Sequence, residues 1–252
     1  MTGYLAGALG AAAAAFAGAH TMVPWSQLYG KNFNGLDFNG LDQGRKTLAL
    51  SYDDGPNDPW TLKLLEVLEK HRVAATFFMV GRYVRERPEI ARAVSQAGHA
   101  VGNHAYSHPN LIFASATRLR QELEETSKAI EEATGTRPVL FRPPFGGRRP
   151  GTFAMARELQ MVPVMWRVTC YDWSAKSRQQ ILKHARRQIR GGEVILLHDG
   201  GHLRMGEDRS ATVRATDELI AEYKERGFSF VTVPEMMRMA HQAESPLGAA
   251  AP

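Results

Sequence analysis

The stretch Thr47-Leu48-Ala49-Leu50-Ser51-Tyr52-Asp53-Asp54-Gly55 runs from apolar residues into two adjacent carboxylates and a glycine. A short apolar run bounded by turn residues suits a strand buried in a parallel sheet. The residues that end it then fall on the edge where parallel α/β proteins place ligands and catalysis. The pattern recurs downstream, and the first strand, residues 47–52, is followed by candidates at residues 73–80, 99–103, 139–141, 162–168, 193–197 and 228–232. Amphipathic stretches lie between them. Asp58 before Pro59 reads as an N-cap with proline at the first helical position, and Leu62, Leu65 and Leu68 follow at helical spacing. Ser115 opens a helix that runs to Gly135, with Glu124, Lys128 and Glu132 on its exposed face.

About seven strand-plus-helix units result, without a fixed internal repeat. Asp53 and Asp54 follow the first strand, His104 the third, Arg142 the fourth, Asp172 the fifth and His198 the sixth. An open sheet would gather such residues at one switch point. Contributions from five strands suit a ring, so the expected fold is an α/β barrel.

The chain has 252 residues, 44% of them hydrophobic and 23% charged, which fits one globular domain and excludes a disordered or collagen-like chain. The lone Cys170 cannot form an internal disulfide and reads as a buried structural thiol. The net charge of +5 would suit acidic partners. Its cations, such as Arg118, Arg120 and Lys128, are scattered over amphipathic helices without interleaved aromatics, which argues against nucleic acid. Met1 to Ala19 carries no charge, and Ala17-Gly18-Ala19 resembles a signal-peptidase site, but the basic n-region is missing. A signal peptide, a weak membrane anchor and a packed helix all remain open, so the location leans toward the cell envelope or export without excluding the cytoplasm. The expected division is an N-terminal segment with linker over residues 1–45, a catalytic domain over 46–240 and a flexible tail over 241–252.

The chemistry sits in a few segments. With Asp54 on a cation, Asp53 stands close enough to take a proton from a coordinated water; read alone, the same residues also suit a helix-capping turn. His104 and His108, with Pro109 marking a loop, can face one divalent ion, and with Asp54 they make a two-histidine, one-carboxylate set. Arg142, at the base of the stiff turn Arg142-Pro143-Pro144-Phe145-Gly146-Gly147, could pair with Asp53 or lie on the surface. The Phe145 amide could then stabilise an oxyanion. Asp172 is a candidate to hold the His198 ring and raise its pKa, and Trp173 to wall a sugar or an acetyl methyl. His71, His99, His184 and His202 read as structural or exposed.

Together these segments resemble the NodB-homology polysaccharide deacetylases, carbohydrate esterase family four, over residues 47–237. Five motifs appear in order: Ser51-Tyr52-Asp53-Asp54-Gly55, Asn103-His104-Ala105-Tyr106-Ser107-His108, Arg142-Pro143-Pro144-Phe145-Gly146, Asp172-Trp173 and Leu196-Leu197-His198-Asp199. The resemblance implies a distorted or incomplete (β/α)7 barrel. It also implies Asp53 as general base, Asp54, His104 and His108 as metal ligands, His198 as general acid, Arg142 orienting the base and Asp172 tuning the acid. The implied cofactor is zinc or another divalent ion such as cobalt, and the implied substrates are chitin, chitooligosaccharides, peptidoglycan and acetylxylan. Two positions depart from the family pattern: Ala105 stands where Ser or Thr is usual, removing a hydroxyl that could brace the metal loop, and Thr169 stands where an acid is often found.

Other readings stay open at this level. Non-haem iron oxygenases share the two-histidine, one-carboxylate set but need neither a second carboxylate beside it nor a histidine acid. A non-catalytic glycan-binding relative would keep the fold, and a deacylase of a lipid-linked or N-formylated sugar would suit an apolar N-terminus.

Overall fold

A computed structural model of the protein describes residues 15–16, 18–36 and 46–244. Its centre is β1 (Thr47–Gly55), buried along its whole length. β2 (Thr76–Met79) pairs with it in parallel on one side and β7 (Val194–His198) on the other. A strand covered on both faces reads as a nearly continuous apolar run, as this one does. Beyond β2 come β3 (Ala100–Asn103), β4 (Leu140–Phe141) and β5 (Val162–Pro163); beyond β7 comes β6 (Val168–Thr169), and β8 (Ser229–Phe230) pairs with the start of β1. Alternate residues of β1 serve two cores. Leu48, Leu50 and Tyr52 pack with Leu64, Leu68, Ile130, Leu182 and Ile220, whereas Ala49 packs with Phe78, Phe141, Met165 and Leu196.

Residues 162–168 do not form the single strand expected from their apolar character. β5 pairs with β4 at one edge of the sheet and β6 with β7 at the other. Proline has no N–H to offer a ladder, so Pro163 ends the first piece. The chain then passes straight from edge to edge, and the sheet curls into an incomplete barrel. Residues 33–36 lie along the gap. Phe33 N–H donates to the Pro163 carbonyl at 2.9 Å and Met165 N–H to the Phe33 carbonyl at 2.7 Å. Toward the other edge, Leu36 N–H donates to Gly192 at 2.8 Å and Val194 N–H to Asn34 at 3.3 Å. The fully buried Arg148 holds the preceding residues by donating to the carbonyls of Thr21, Val23 and Ser26.

Helix ends agree with expectation in one place and differ in another. Ser115 caps the helix Ala116–Thr134, its hydroxyl accepting from Arg118 N–H at 3.1 Å, and Gly135 closes it at φ 75°. The helix Trp60–His71 instead has Pro59 at its N-cap position, with no side-chain cap. Asp58 turns away to pair with Arg87. The buried stripe of this helix is Thr61, Leu64 and Leu68, with Leu62 exposed and Leu65 partly buried. Among the described residues no helix is long and apolar enough to cross a membrane. Most of the uncharged N-terminal stretch, including Ala17 of the suggested cleavage site, and residues 245–252 of the tail lie outside the described residues.

The ends of β1 and β7 meet at Gly200, where a Cβ would stand 2.2 Å from the Asp54 carbonyl oxygen. Backbone cannot yield as a side-chain tip can. Gly200→Ala should therefore lower stability by about 1–3 kcal/mol, the usual cost of overpacking, read from urea unfolding; an unchanged midpoint would mean that the strand ends move apart freely.

Candidate active site

Adjacent residues of a regular strand point to opposite faces, yet Asp53 and Asp54 both reach the same place. The register explains it: Asp53 pairs with Phe78 and Gly55 with Met79, so Asp54 is an extra residue in a bulge, at φ 73°. A bulge re-aims side chains, and here it turns both carboxylates toward His104. His104 Nε2 lies 3.5 Å from Asp54 Oδ1 and 3.6 Å from Asp53 Oδ2. His108 Nε2 lies 3.0 Å from the same Asp54 oxygen. Ligand atoms of Asp54, His104 and His108 all fall within 4.8 Å of one another, and all three residues are buried.

This set fits a divalent cation. His104 Nδ1 is 2.8 Å from the Arg142 carbonyl, which can only accept, so that nitrogen carries the proton. The Nε2 lone pair then faces a carboxylate oxygen, an arrangement that a cation between them would satisfy. Asp54 Oδ1 and His108 Nδ1 are buried without an aligned hydrogen-bond partner. Burial works against the Asp54 carboxylate, but His104 and His108 overcome it and hold the group well below the usual range. Two imidazoles and one carboxylate are donors suited to zinc and its neighbours.

Asp53 is held from its other side. Arg142, fully buried, donates from Nη1 to Asp53 Oδ1 at 2.7 Å and to Ser51 Oγ at 2.9 Å. Its remaining nitrogens reach the carbonyls of Val164 and Met165, and its guanidinium lies 4.0 Å from the centre of the Phe78 ring. The surface position left open for Arg142 is thus excluded. His198 ends β7, in register with Asp53. Its Nδ1 is 2.8 Å from Asp172 Oδ1, and its backbone N–H donates to Oδ2 of the same carboxylate at 2.7 Å. Thr212 adds a donor to that oxygen at 2.9 Å. Burial disfavours the His198 cation, but Asp172 outweighs it and raises the pKa to about 9. Trp173 meets the His198 ring edge-on at 5.1 Å and is half exposed, while Phe145 meets His108 at 4.6 Å.

Among the described residues, positive φ at non-glycine positions concentrates here. Asp54, Ala105, His108, Phe145 and Tyr171 all surround the site, and the other two, Arg72 and Gln160, follow helices. Such conformations cost about 1–3 kcal/mol each and persist where surrounding contacts impose them.

Two residues escaped the sequence reading. His202, read as structural or exposed, stacks on His108 with ring centroids 5.0 Å apart. Glu122, on the inward side of Ala116–Thr134, accepts from Tyr106 N–H, Ser107 N–H and Ser107 Oγ, each at 2.7 Å. It braces the loop between the two histidines, the task left open by Ala105. The i, i+4 pair Arg118 and Glu122 was its only signal, and it looks like any surface pair. His99 is structural as expected, its Nδ1 accepting from Ala75 N–H and its pKa lowered by burial to about 4.

Residues 40–164 match the family described as polysaccharide deacetylase. A peptidoglycan-N-acetylglucosamine deacetylase of Bacillus cereus is 34% identical over 203 residues, covering 80% of this chain and 92% of that protein. A chitooligosaccharide deacetylase of Bradyrhizobium is 35% identical over 202 residues, covering 77% and 91%. A crystal structure of a peptidoglycan N-acetylglucosamine deacetylase in complex with 4-naphthalen-1-yl-N-oxidanyl-benzamide superimposes with a TM-score of 0.75 at 32% identity, over 85% of this chain and 96% of that one. A family-four pseudoenzyme from Bacillus anthracis gives 0.71 at 32% identity, over 78% and 66%.

Removing the guanidinium leaves a buried carboxylate without its cation. Arg142→Met should therefore cost about 3–5 kcal/mol, measured by denaturant unfolding, and adding Asp53→Asn should recover part of the loss. A single variant as stable as the parent would show that Asp53 finds another partner.

Proposed function

Starting from the polysaccharide deacetylase family, to which the chain belongs, we propose that it hydrolyses the N-acetyl group of N-acetylated amino sugars in peptidoglycan or a chitooligosaccharide-like glycan, releasing acetate with the help of a divalent ion. One observation carries this reading. Two titratable groups, Asp53 on Arg142 and His198 on Asp172, stand in register on neighbouring strands beside one candidate metal cluster.

Asp54, His104 and His108 would hold the ion, zinc by their donor chemistry, with cobalt an acceptable substitute. When bound, such an ion polarises the amide carbonyl and makes water more acidic. Asp53 accepts the proton of the water whose oxygen adds to the amide carbon. Arg142 and Ser51 fix the Asp53 carboxylate through Oδ1 and the shared guanidinium, leaving Oδ2 toward the site. The Phe145 backbone amide donates to the developing oxyanion, while Phe145 and Trp173 give the acetyl group and the sugar apolar walls. His198, held through Nδ1, gives a proton from Nε2 to the amide nitrogen as the carbon–nitrogen bond breaks. Acetate and a free amine result. The Bacillus anthracis relative raises the alternative of a non-catalytic glycan binder; the presence of both Asp53 and His198 in supported positions favours catalysis.

Acetate release from chitooligosaccharide and peptidoglycan tests the reading. A chelator should abolish it and added zinc or cobalt should restore it, while Asp53→Asn should keep the metal and lose about 10²–10⁴ in rate. Undiminished turnover in metal-free protein would overturn the metal site. The pH profile tests the acid. Activity should fall on the alkaline side as His198 loses its proton, and because Asp172 is what raises the pKa against burial, Asp172→Asn should move that limb to lower pH. An unmoved limb together with normal kinetics in His198→Ala would assign the proton to another donor.

A further inference from the structure

The loop after β7 brings one more ring to the site. His202 stacks on His108 at 5.0 Å, with 27° between the ring planes, and meets Phe145 edge-on at 5.1 Å. Phe145 and His108 are themselves in contact, so the three rings form one wall beside the candidate metal ligands.

The backbone of this loop is pinned from several sides. Arg82 donates to the His202 carbonyl, and Tyr83 donates its hydroxyl to the Gly201 carbonyl at 3.0 Å. Asn57 bridges the carbonyls of Asp199 and Glu207 and accepts from Gly206 N–H at 2.6 Å. Arg209 reaches the Gly200 carbonyl at 2.7 Å. A surface loop held this firmly positions its side chains, and precise positioning is what recognition needs. The His202 ring is half-buried, and its nitrogens make no hydrogen bond to any described residue. A purely packing role would be filled as well by phenylalanine. An imidazole offers a donor and an acceptor at the mouth of the site.

We propose that His202 is a substrate-binding residue, hydrogen-bonding through its imidazole to a hydroxyl of the sugar whose acetyl group is removed, while its stacked face fixes the ring on His108 and Phe145. This rests on the deacetylase reading above. His202 takes no proton from water or substrate; it sets which glycan binds and how firmly.

The test uses chitotetraose and the metal-loaded full chain. Binding is measured by calorimetry in the Asp53→Asn background, alone and combined with His202→Phe or His202→Gln. His202→Phe should retain the metal and the melting temperature but weaken chitotetraose binding about five- to tenfold, the worth of one net hydrogen bond, and His202→Gln should recover part of this. In the catalytically intact chain the same change should appear in KM more than in kcat. Chitotetraose binding unchanged in His202→Phe, or loss of metal from that variant, overturns the proposal, the latter by making the ring a support for His108. Wild-type protein that releases no acetate from chitotetraose overturns the deacetylase reading for this substrate and this proposal with it. Acetate release with unaltered binding in His202→Phe overturns this proposal alone.

Discussion

The site depends on one irregularity in the central strand. Without the bulge at Asp54, the strand's alternation would send Asp53 and Asp54 to opposite faces, one toward the metal-binding histidines and the other into the opposite core. With it, two carboxylates enter one buried space. That is costly in electrostatic terms, since like charges close together in a medium that screens poorly repel strongly. The surrounding residues divide the load. Arg142 and Ser51 serve Asp53, whereas His104 and His108 serve Asp54. Each carboxylate thus has its own set of partners, and the two can take the different tasks proposed for them.

The same division links the two sides of the site. The Arg142 backbone carbonyl orients His104 while its side chain holds Asp53, so one residue sets both a candidate ligand and the candidate base. On the neighbouring strand, Asp172 grips His198 at both its backbone and its ring, and Thr212 restrains Asp172 in turn. Rigid supports of this kind keep groups near reacting geometry before substrate arrives, which is where most of the electrostatic advantage of an active site originates.

Much of this was legible in the chain because each principal residue ends an apolar run, and parallel strands bring such ends together. Asp53, Asp54, His104, Arg142 and His198 converge for that reason. The bulge was not legible: Gly55 marks a turn but does not say on which residue the register slips. His202 belongs to a loop, where no periodicity constrains placement, and its position comes from contacts with Arg82 and Tyr83 more than a hundred residues away in sequence. Glu122 is hidden because a buried carboxylate on a helix has the same spacing to Arg118 as a solvated pair. The split of residues 162–168 had one available signal, Pro163. Residues 33–36 had none, since single bridges rather than a ladder tie them to the barrel.

Those bridges bear on how the chain can assemble. Residues 33–36 contact residues 163–165 on one side and 192–194 on the other, so the gap in the barrel is closed by a segment made early that binds partners made late. Contacts so distant in sequence lengthen the search for the native state. During synthesis the N-terminal segment must wait, without its partners, until most of the chain has emerged. The matching family region begins at residue 40, yet the cooperative folding unit reaches back beyond it, and a polypeptide begun at that boundary would leave both edges of the sheet unpaired and open to association with other chains.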